Sequence, residues 1–130
     1  MEDLITKFGT NAGKLWSALN EKGPIIKEDI TKNTKLNDND FYTAVGWLAR
    51  EDKIYKEGQE CYKLGNTNLT HEIGANAGRL WRILDIWGEV DFSSIKKLAG
   101  IDEKEIFSAL GWLARENKIN LDEKHRFTLK

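Results

Sequence analysis

Apolar side chains near the start of the chain recur at the spacing of an amphipathic helix. They lie three or four residues apart, at Phe8, Ala12, Leu15, Trp16 and Leu19. Gly23 follows them, and glycine is a common residue just past the end of a helix. The pattern predicts a first helix that buries one face and ends near Gly23.

Shorter elements are predicted after this helix. Pro24-Ile25-Ile26 is long enough only for a small strand, and residues 27–34 suit a short second helix. Residues 54–64 alternate around Glu57-Gly58-Gln59, which is a hairpin signal. The corresponding segment of the second half, residues 119–129, turns at Asp122-Glu123-Lys124. We therefore expect a small β-hairpin at the end of each half.

A third helix is predicted ahead of each hairpin. Asn37 is followed three residues later by Asp40, and Asp102 is followed by Glu105 in the same way. This spacing is typical of a capping box, in which side chains bond the free N–H groups at a helix start. The first of these helices is expected to run to about Lys53.

The two halves of the chain repeat each other. Shifted by 65 residues without gaps, the sequence matches itself at 21 of 65 positions. The identities concentrate in two blocks, NAGKLW (11–16) with NAGRLW (76–81), and GWLARE (46–51) with GWLARE (111–116). A match of this length indicates a duplicated domain. We expect a first unit at residues 1–65 and a second at residues 66–130, joined near the polar stretch 65–68.

The predicted elements of each half follow the order of a winged helix-turn-helix domain: helix, short strand, helix, turn, helix and hairpin. The predicted fold class is therefore mainly α with small β-hairpin wings, as two tandem winged helix-turn-helix domains. The NAG(K/R)LW block followed about thirty residues later by GWLARE also resembles a bacterial and archaeal family of such domains with no assigned function. The resemblance covers both units. It implies the winged-helix fold and an association with DNA.

Charge and composition weaken a role in DNA binding. The chain has 20 basic and 21 acidic residues, a net charge of −1, and neither unit is a basic block. Proteins that coat DNA without sequence preference have a clear positive excess. No apolar run approaches the roughly 20 residues that cross a bilayer, so no membrane association is expected. The single cysteine, Cys61, fits a reducing compartment, and we expect the protein to be cytoplasmic.

No pattern of an enzyme or of a metal site is present in the sequence. His71 and His125 have no second histidine or cysteine nearby at the spacing of metal ligands. The phosphate-binding and nucleophile motifs GxxxxGK[ST], GxGxxG and GxSxG are absent. We expect a non-enzymatic protein without a cofactor, a metal or a small-molecule ligand.

One face of the third helix is the candidate functional surface. At 100° per residue, Trp47 projects almost opposite the apolar face formed by Phe41, Val45 and Leu48. In a winged helix-turn-helix domain this outward face enters the major groove. The candidate recognition or interface residues are Asn39, Thr43, Gly46, Trp47, Arg50, Lys104, Ser108, Gly111, Trp112 and Arg115.

Three interpretations of the repeated tryptophan remain open. Trp47 and Trp112 pack within their own units, form a protein interface between units or chains, or contact DNA. Gly46 and Gly111 favour the interface, because a glycine inside a helix costs roughly 1 kcal/mol and commonly allows close approach of another backbone. Acidic residues at the start of both third helices make poor readers of DNA.

Two further sets of residues are candidate contacts. Lys56, Lys63, Lys124 and Arg126 in the wings could hold a nucleic-acid backbone. In the second unit, Ile86 and Trp87 replace two polar residues of the first unit, Glu21 and Lys22. This change suggests a contact with the first unit or with a partner, and the alternative is local packing against residues 90–92.

Two hypotheses for function follow from these patterns. The first is a DNA-associated or transcription-regulatory protein that binds double-stranded DNA. The second is a protein-interaction adaptor, with a partner protein or a second copy of the chain bound to the Gly-Trp faces of the third helices.

Overall fold

A computed structural model of the chain describes residues 3–130. The first unit consists of α1 (Leu4–Lys22), β1 (Ile25–Ile26), α2 (Lys27–Thr34), α3 (Asp38–Arg50), β2 (Ile54–Lys56) and β3 (Cys61–Leu64). The second unit repeats this order with α4 (Thr70–Trp87), β4 (Val90–Asp91), α5 (Phe92–Ala99), α6 (Glu103–Arg115), β5 (Ile119–Leu121) and β6 (Arg126–Leu129). The predicted fold class, mainly helical with small hairpin wings, is confirmed.

Local sequence accounts for several of the helix ends. The Asp3 carboxylate accepts a 2.7 Å hydrogen bond from the Thr6 N–H and caps α1. Gly23, at φ 72°, ends the same helix, as predicted. At the start of α3, the Asn37 side chain accepts from the Asp40 N–H at 2.8 Å, and this predicted cap is confirmed. The matching prediction for α6 is wrong, because the Asp102 side chain makes no capping hydrogen bond.

Each unit closes with a three-stranded antiparallel sheet. The strand orders are β1-β3-β2 and β4-β6-β5, so the predicted hairpin forms the wing and the short strand adds to its outer edge. Ile25 lies opposite Tyr62, and its counterpart Val90 lies opposite Phe127. The third helix ends at Arg50, three residues before the predicted end at Lys53.

The two hydrophobic cores exchange residues between the units. Leu4 and Phe8 of α1 are buried in the core of the second unit. Leu69 and Ile73, at the start of α4, are buried in the core of the first unit in the same way. The two units are therefore joined into one packed body and are not separate domains on a free linker.

The segment between the units is held against the first unit. The Asp52 carboxylate accepts hydrogen bonds from the Thr67 N–H at 2.8 Å and from the Asn66 side chain at 2.9 Å. Asn68 bonds both the N–H and the carbonyl of Lys56, at 2.9 and 2.8 Å. These bonds place α4 directly beside α3.

None of the helices within residues 3–130 combines the length and apolar character needed to cross a membrane.

Candidate functional site: the joined third helices

Helices α3 and α6 pack directly on each other at their two glycines. A β-carbon at Gly46 would collide with the main-chain carbonyl of Ser108, and one at Gly111 would collide with that of Thr43. Because Thr43 contacts Gly111 and Gly46 contacts Ser108, the contact is reciprocal, as in a twofold-symmetric dimer. Only glycine lets the two backbones approach this closely.

The two tryptophans cover the sides of this contact. The ring of Trp47 lies over Gly9 of α1, where the β-carbon position is 3.2 Å from two ring carbons. Trp112 lies over Gly74 of α4 in the same way, at 3.4 Å. Both rings are partly buried and pack against both hydrophobic cores. Each tryptophan thus fills the angle between the third helix and the first helix of its own unit.

Arginine side chains cross from each unit to the other. The Arg50 guanidinium lies 5.7 Å from the ring of Trp112, and that of Arg115 lies 5.9 Å from the ring of Trp47. These distances fall in the range of cation–π contacts. Each tryptophan is therefore covered on one side by its own unit and on the other by the opposite unit.

The same arginines form ion pairs with glutamates of the opposite repeat. Arg50 Nε donates to Glu116 at 3.0 Å, and Arg115 Nε donates to Glu51 at 2.9 Å. Both glutamate side chains are mostly buried, with 17% and 18% of their surface exposed. Lysines of the same unit complete the cluster, 3.7 Å from Glu51 and 3.4 Å from Glu116. The repeated GWLARE block thus holds the residues that join the units.

A comparison with known protein families gives the place of this fold. A family described as the winged helix-turn-helix domain DUF2582 matches residues 1–64 and matches again at residues 69–129. The chain belongs to this winged helix-turn-helix family. The resemblance inferred from the NAG(K/R)LW and GWLARE blocks is confirmed, with one copy of the domain in each half of the chain.

One relative and one solved structure are also similar to this chain. The uncharacterized protein MJ1608 of Methanocaldococcus jannaschii is 44% identical over 57 residues, which are 42% of this chain and 81% of that protein. The solved mRNA-binding domain of elongation factor SelB from E. coli, in complex with SECIS RNA, is 13% identical. It superposes with a TM-score of 0.42 over 92% of this chain and 97% of that one. At this identity and TM-score, the similarity carries no argument about what the present protein binds.

The face singled out from the sequence lies almost entirely within the contact between α3 and α6. The residues brought together there are Thr43, Gly46, Trp47, Arg50, Ser108, Gly111, Trp112 and Arg115. Asn39 and Lys104 lie at the exposed starts of the two helices. Of the three interpretations of the tryptophans, the geometry combines packing on the first helix with an interface between units.

The wing residues named from the sequence differ in their surroundings. Lys63 lies 5.2 Å from the Tyr55 ring and 4.0 Å from Glu57. Arg126 pairs with Glu89 at 2.7 Å and with Asp122 at 3.0 Å. Lys56 is partly buried beside Asn68, and Lys124 is exposed at the turn of the second wing.

Ile86 and Trp87 lie outside the contact between the units. Their exposed fractions are 70% and 62%, so the suggestion that they contact the first unit is wrong. The reason is geometric, because α4 faces the cores with Ile73, Ala77 and Leu80 and ends at Trp87. The two side chains extend from the far end of this helix into solvent.

Several residues of the contact were not identified from the sequence. Gly9 and Gly74, which receive the tryptophan rings, are identical at the 65-residue shift, as are Leu4 and Leu69. Glu51 and Glu116 complete the hexapeptide repeat. Their identity in both units was the available signal, but identity alone does not distinguish a residue of the core from one of an interface.

One buried polar group in this region lacks a partner. The Asn76 side chain donates a 3.2 Å hydrogen bond to Glu105, whereas its counterpart Asn11 is buried and its Nδ2 has no hydrogen-bond partner in the described structure. Asp40 stands where the second unit has Glu105, and its side chain is one methylene shorter. The buried asparagine amide is therefore hydrogen-bonded in the second unit but not in the first.

A polar cleft of about 220 Å³ lies beside the contact, between the first wing and the start of α4. Tyr42 donates to Glu60 at 3.3 Å at its edge. Burial raises the pKa of Tyr42, and nearby Glu60 adds to the effect, so the phenol remains protonated at neutral pH. Among residues 3–130, no group of three or more His, Cys, Asp or Glu side chains is placed to hold a metal ion.

Proposed function

We propose that this chain is a non-enzymatic binding module that binds a protein partner and does not read duplex DNA with its third helices. One observation argues against reading of DNA: the third helices of the two units are buried against each other. A winged helix that reads DNA directs the corresponding face of this helix into the major groove. The exposed apolar side chains of Ile86 and Trp87 favour a protein partner instead.

Little of either third helix remains accessible to a groove. In α3 only Asp38, Asn39 and Arg50 are exposed, and in α6 only Glu103, Lys104 and Arg115 are exposed. The major groove is about as wide as one helix with its side chains, so a helix whose outward face is covered by a second helix does not fit. Opening the contact would also expose two tryptophans and separate two pairs of charged residues.

Electrostatics support the same conclusion. The net charge is −1, and Arg50 and Arg115 already pair with glutamates of the opposite unit. Binding to phosphates requires free Lys and Arg side chains that release counterions. In the two hairpins, residues 54–64 and 119–129, acidic and basic residues are equal in number.

Nucleic-acid association through the wings is a second candidate function. Membership of a winged helix-turn-helix family favours it, and both wing turns remain exposed, including Gly58 and Lys124. Contacts of this kind position a protein on the phosphate backbone but carry no sequence information directly. Such binding would therefore be weak and sensitive to salt.

Two measurements on the intact protein test the proposal. In fluorescence anisotropy with a labelled random DNA duplex, we expect no saturable binding near about 10⁻⁶ M even at low salt. In affinity capture from the native cells, we expect protein partners that persist after nuclease treatment. Salt-sensitive duplex binding near or below about 10⁻⁶ M, together with partners lost on nuclease treatment, would overturn the proposal in favour of the second candidate.

A further inference from the structure

A groove with exposed apolar side chains lies between α4 and α5 of the second unit. Ile86 and Trp87 at the end of α4 have exposed fractions of 70% and 62%, and Leu98 of α5 has 44%. The groove encloses about 510 Å³ between the two helices. A second depression of about 370 Å³ continues past Trp87 and Leu98 toward Val90 and Arg126. Exposed apolar surface of this kind marks interaction sites.

The first unit has the same backbone arrangement but none of these apolar side chains. The positions that match Ile86, Trp87 and Leu98 are Glu21, Lys22 and Asn33. The fold of the unit therefore does not require large apolar residues there. Their presence in one copy only indicates that the second unit uses this face for binding.

Two arginines give the groove its charge. Arg79 and Arg82 of α4 line it, and no carboxylate is among the described residues that do so. The Arg79 guanidinium donates to the Ala99 carbonyl at 3.1 Å, which ties it to α5. Arg82 replaces Ser17 of the first unit, and neither arginine has an ion-pair partner within residues 3–130. The groove between α4 and α5 is therefore apolar and positively charged, whereas the depression beyond Trp87 carries both signs, with Glu89 and Asp91 beside Lys97 and Arg126.

Building on the proposed function, we propose that this groove docks an acidic segment of a partner protein that carries large apolar side chains. Ile86, Trp87 and Leu98 contact the apolar side chains, and Arg79 and Arg82 pair with carboxylates beside them. Tryptophan and arginine are the residues that most often dominate the energy of binding at protein interfaces. Complementary charge favours an acidic partner and disfavours a basic one.

A second copy of this chain is a poorer occupant of the groove. A twofold contact centred on Arg79 and Arg82 would place these arginines of one copy beside the same residues of the other. Like charges brought together in an interface oppose association. An acidic segment has the opposite charge and meets no such repulsion.

Fluorescein-labelled peptides of about 15 residues, titrated into the intact protein, test the proposal. The first peptide has Leu and Phe at helical spacing with Glu and Asp between them. The second has Lys in place of every acid, and the third has Ser in place of every Leu and Phe. The first is expected to bind with a Kd between about 1 and 100 μM and at least tenfold more tightly than the others.

The variant Ile86→Glu/Trp87→Lys installs the residues of the first unit at exposed positions, so it is expected to fold. It is expected to weaken binding of the acidic peptide at least about tenfold. Arg82→Ser, also taken from the first unit, is expected to reduce the preference for the acidic peptide over the lysine peptide. The matched control is Ile26→Asp, which removes an exposed Ile of the first unit and installs the residue of the second unit, Asp91.

The outcomes separate this proposal from the proposed function. Equal binding of the acidic peptide to the wild type and to Ile86→Glu/Trp87→Lys would overturn the groove as its site and leave a protein-binding function standing. A second pair of results would also overturn the groove as the docking site. In it, the wild type binds none of the peptides, and Ile86→Glu/Trp87→Lys captures the same nuclease-resistant partners as the wild type. A wild type that dimerises in sedimentation while the variant stays monomeric would assign the groove to a second copy. Tight duplex binding without nuclease-resistant partners would instead count against the proposed function.

Discussion

Gly46 of α3 packs on the main-chain carbonyl of Ser108 in α6, and the duplicated sequence repeats the contact with Gly111 on Thr43. This relationship explains why the chain carries GWLARE twice. The glycine permits close approach, the tryptophan covers the first helix, and the arginine and glutamate cross between the units. Leu48 and Ala49, with Leu113 and Ala114, face the cores.

Replacing Gly46 with alanine is expected to destabilise the protein, because the added methyl group has main-chain atoms and no flexible side chain to displace. We expect the free energy of unfolding to fall by about 3 kcal/mol, measured by urea denaturation. The matched control is Gly13→Ala in α1, where the position faces open space. Since alanine is the better helix former, this control is expected to gain about 1 kcal/mol. Equal effects of the two substitutions would contradict the close contact.

The ion pair between Arg50 and Glu116 is expected to contribute a small coupling energy. A double-mutant cycle with Arg50→Ala and Glu116→Ala should give about 0.5–1 kcal/mol, because the arginine is 46% exposed and screened by water. The symmetric pair, Arg115 and Glu51, should give a similar value. High salt should reduce both. A coupling of zero for both pairs would contradict a stabilising role for these ion pairs.

The unpaired amide of Asn11 offers a stabilising substitution. Asp40→Glu lengthens the carboxylate to match Glu105, which accepts the hydrogen bond of Asn76 in the second unit. We expect a gain of about 1 kcal/mol in the free energy of unfolding. The converse change, Glu105→Asp, is expected to lose a similar amount. The control is the same substitution in a protein that carries Asn11→Ala. If Asp40→Glu stabilises that protein as much as it stabilises the wild type, the gain does not come from the Asn11 amide.

The exchanged core residues predict that the two units unfold together. Leu4→Ala removes a side chain from α1 that is buried in the core of the second unit, so it should cost about 2–4 kcal/mol. Hydrogen exchange measured by NMR is expected to speed up in α6 and β6 as well as in α1. A variant whose exchange changes only within residues 3–65 would show that the units open independently.

Acid is expected to loosen the connection between the units at Asp52. Hydrogen bonds from the Thr67 N–H and the Asn66 side chain lower the pKa of Asp52 below its ordinary value of 3.8. A carboxylate whose pKa is lower in the folded state stabilises the fold above the unfolded value, and this contribution is lost as the pH falls through the folded value. The Tm should therefore fall as the pH drops from about 5 to 2, and less steeply in Asp52→Asn. Identical slopes in the two proteins would exclude Asp52 as a source of the acid sensitivity.

Much of the architecture could be predicted because local physics sets it. The helical spacing from Phe8 to Leu19, the cap at Asn37 and the alternation around Gly58 all act over a few residues. The predicted cap at Asp102 failed because a suitable side chain at a helix start does not ensure the hydrogen bond. Helical periodicity placed Gly46 and Trp47 on the outward face of α3, but it left open whether that face packs within the unit, forms an interface or contacts DNA.

Helical spacing and the 65-residue repeat predict the winged-helix units and the apolar faces of α1 and α3. Tertiary packing buries the opposite face of α3 as well: α6 covers Gly46, Gly9 and Arg115 cover Trp47, and the second core covers Leu4. It also decided that Ile86 and Trp87 remain exposed. The physical reason is that apolar periodicity records the preference of a face for burial but not the identity of its partner. The partner is set by the packing of both units at once.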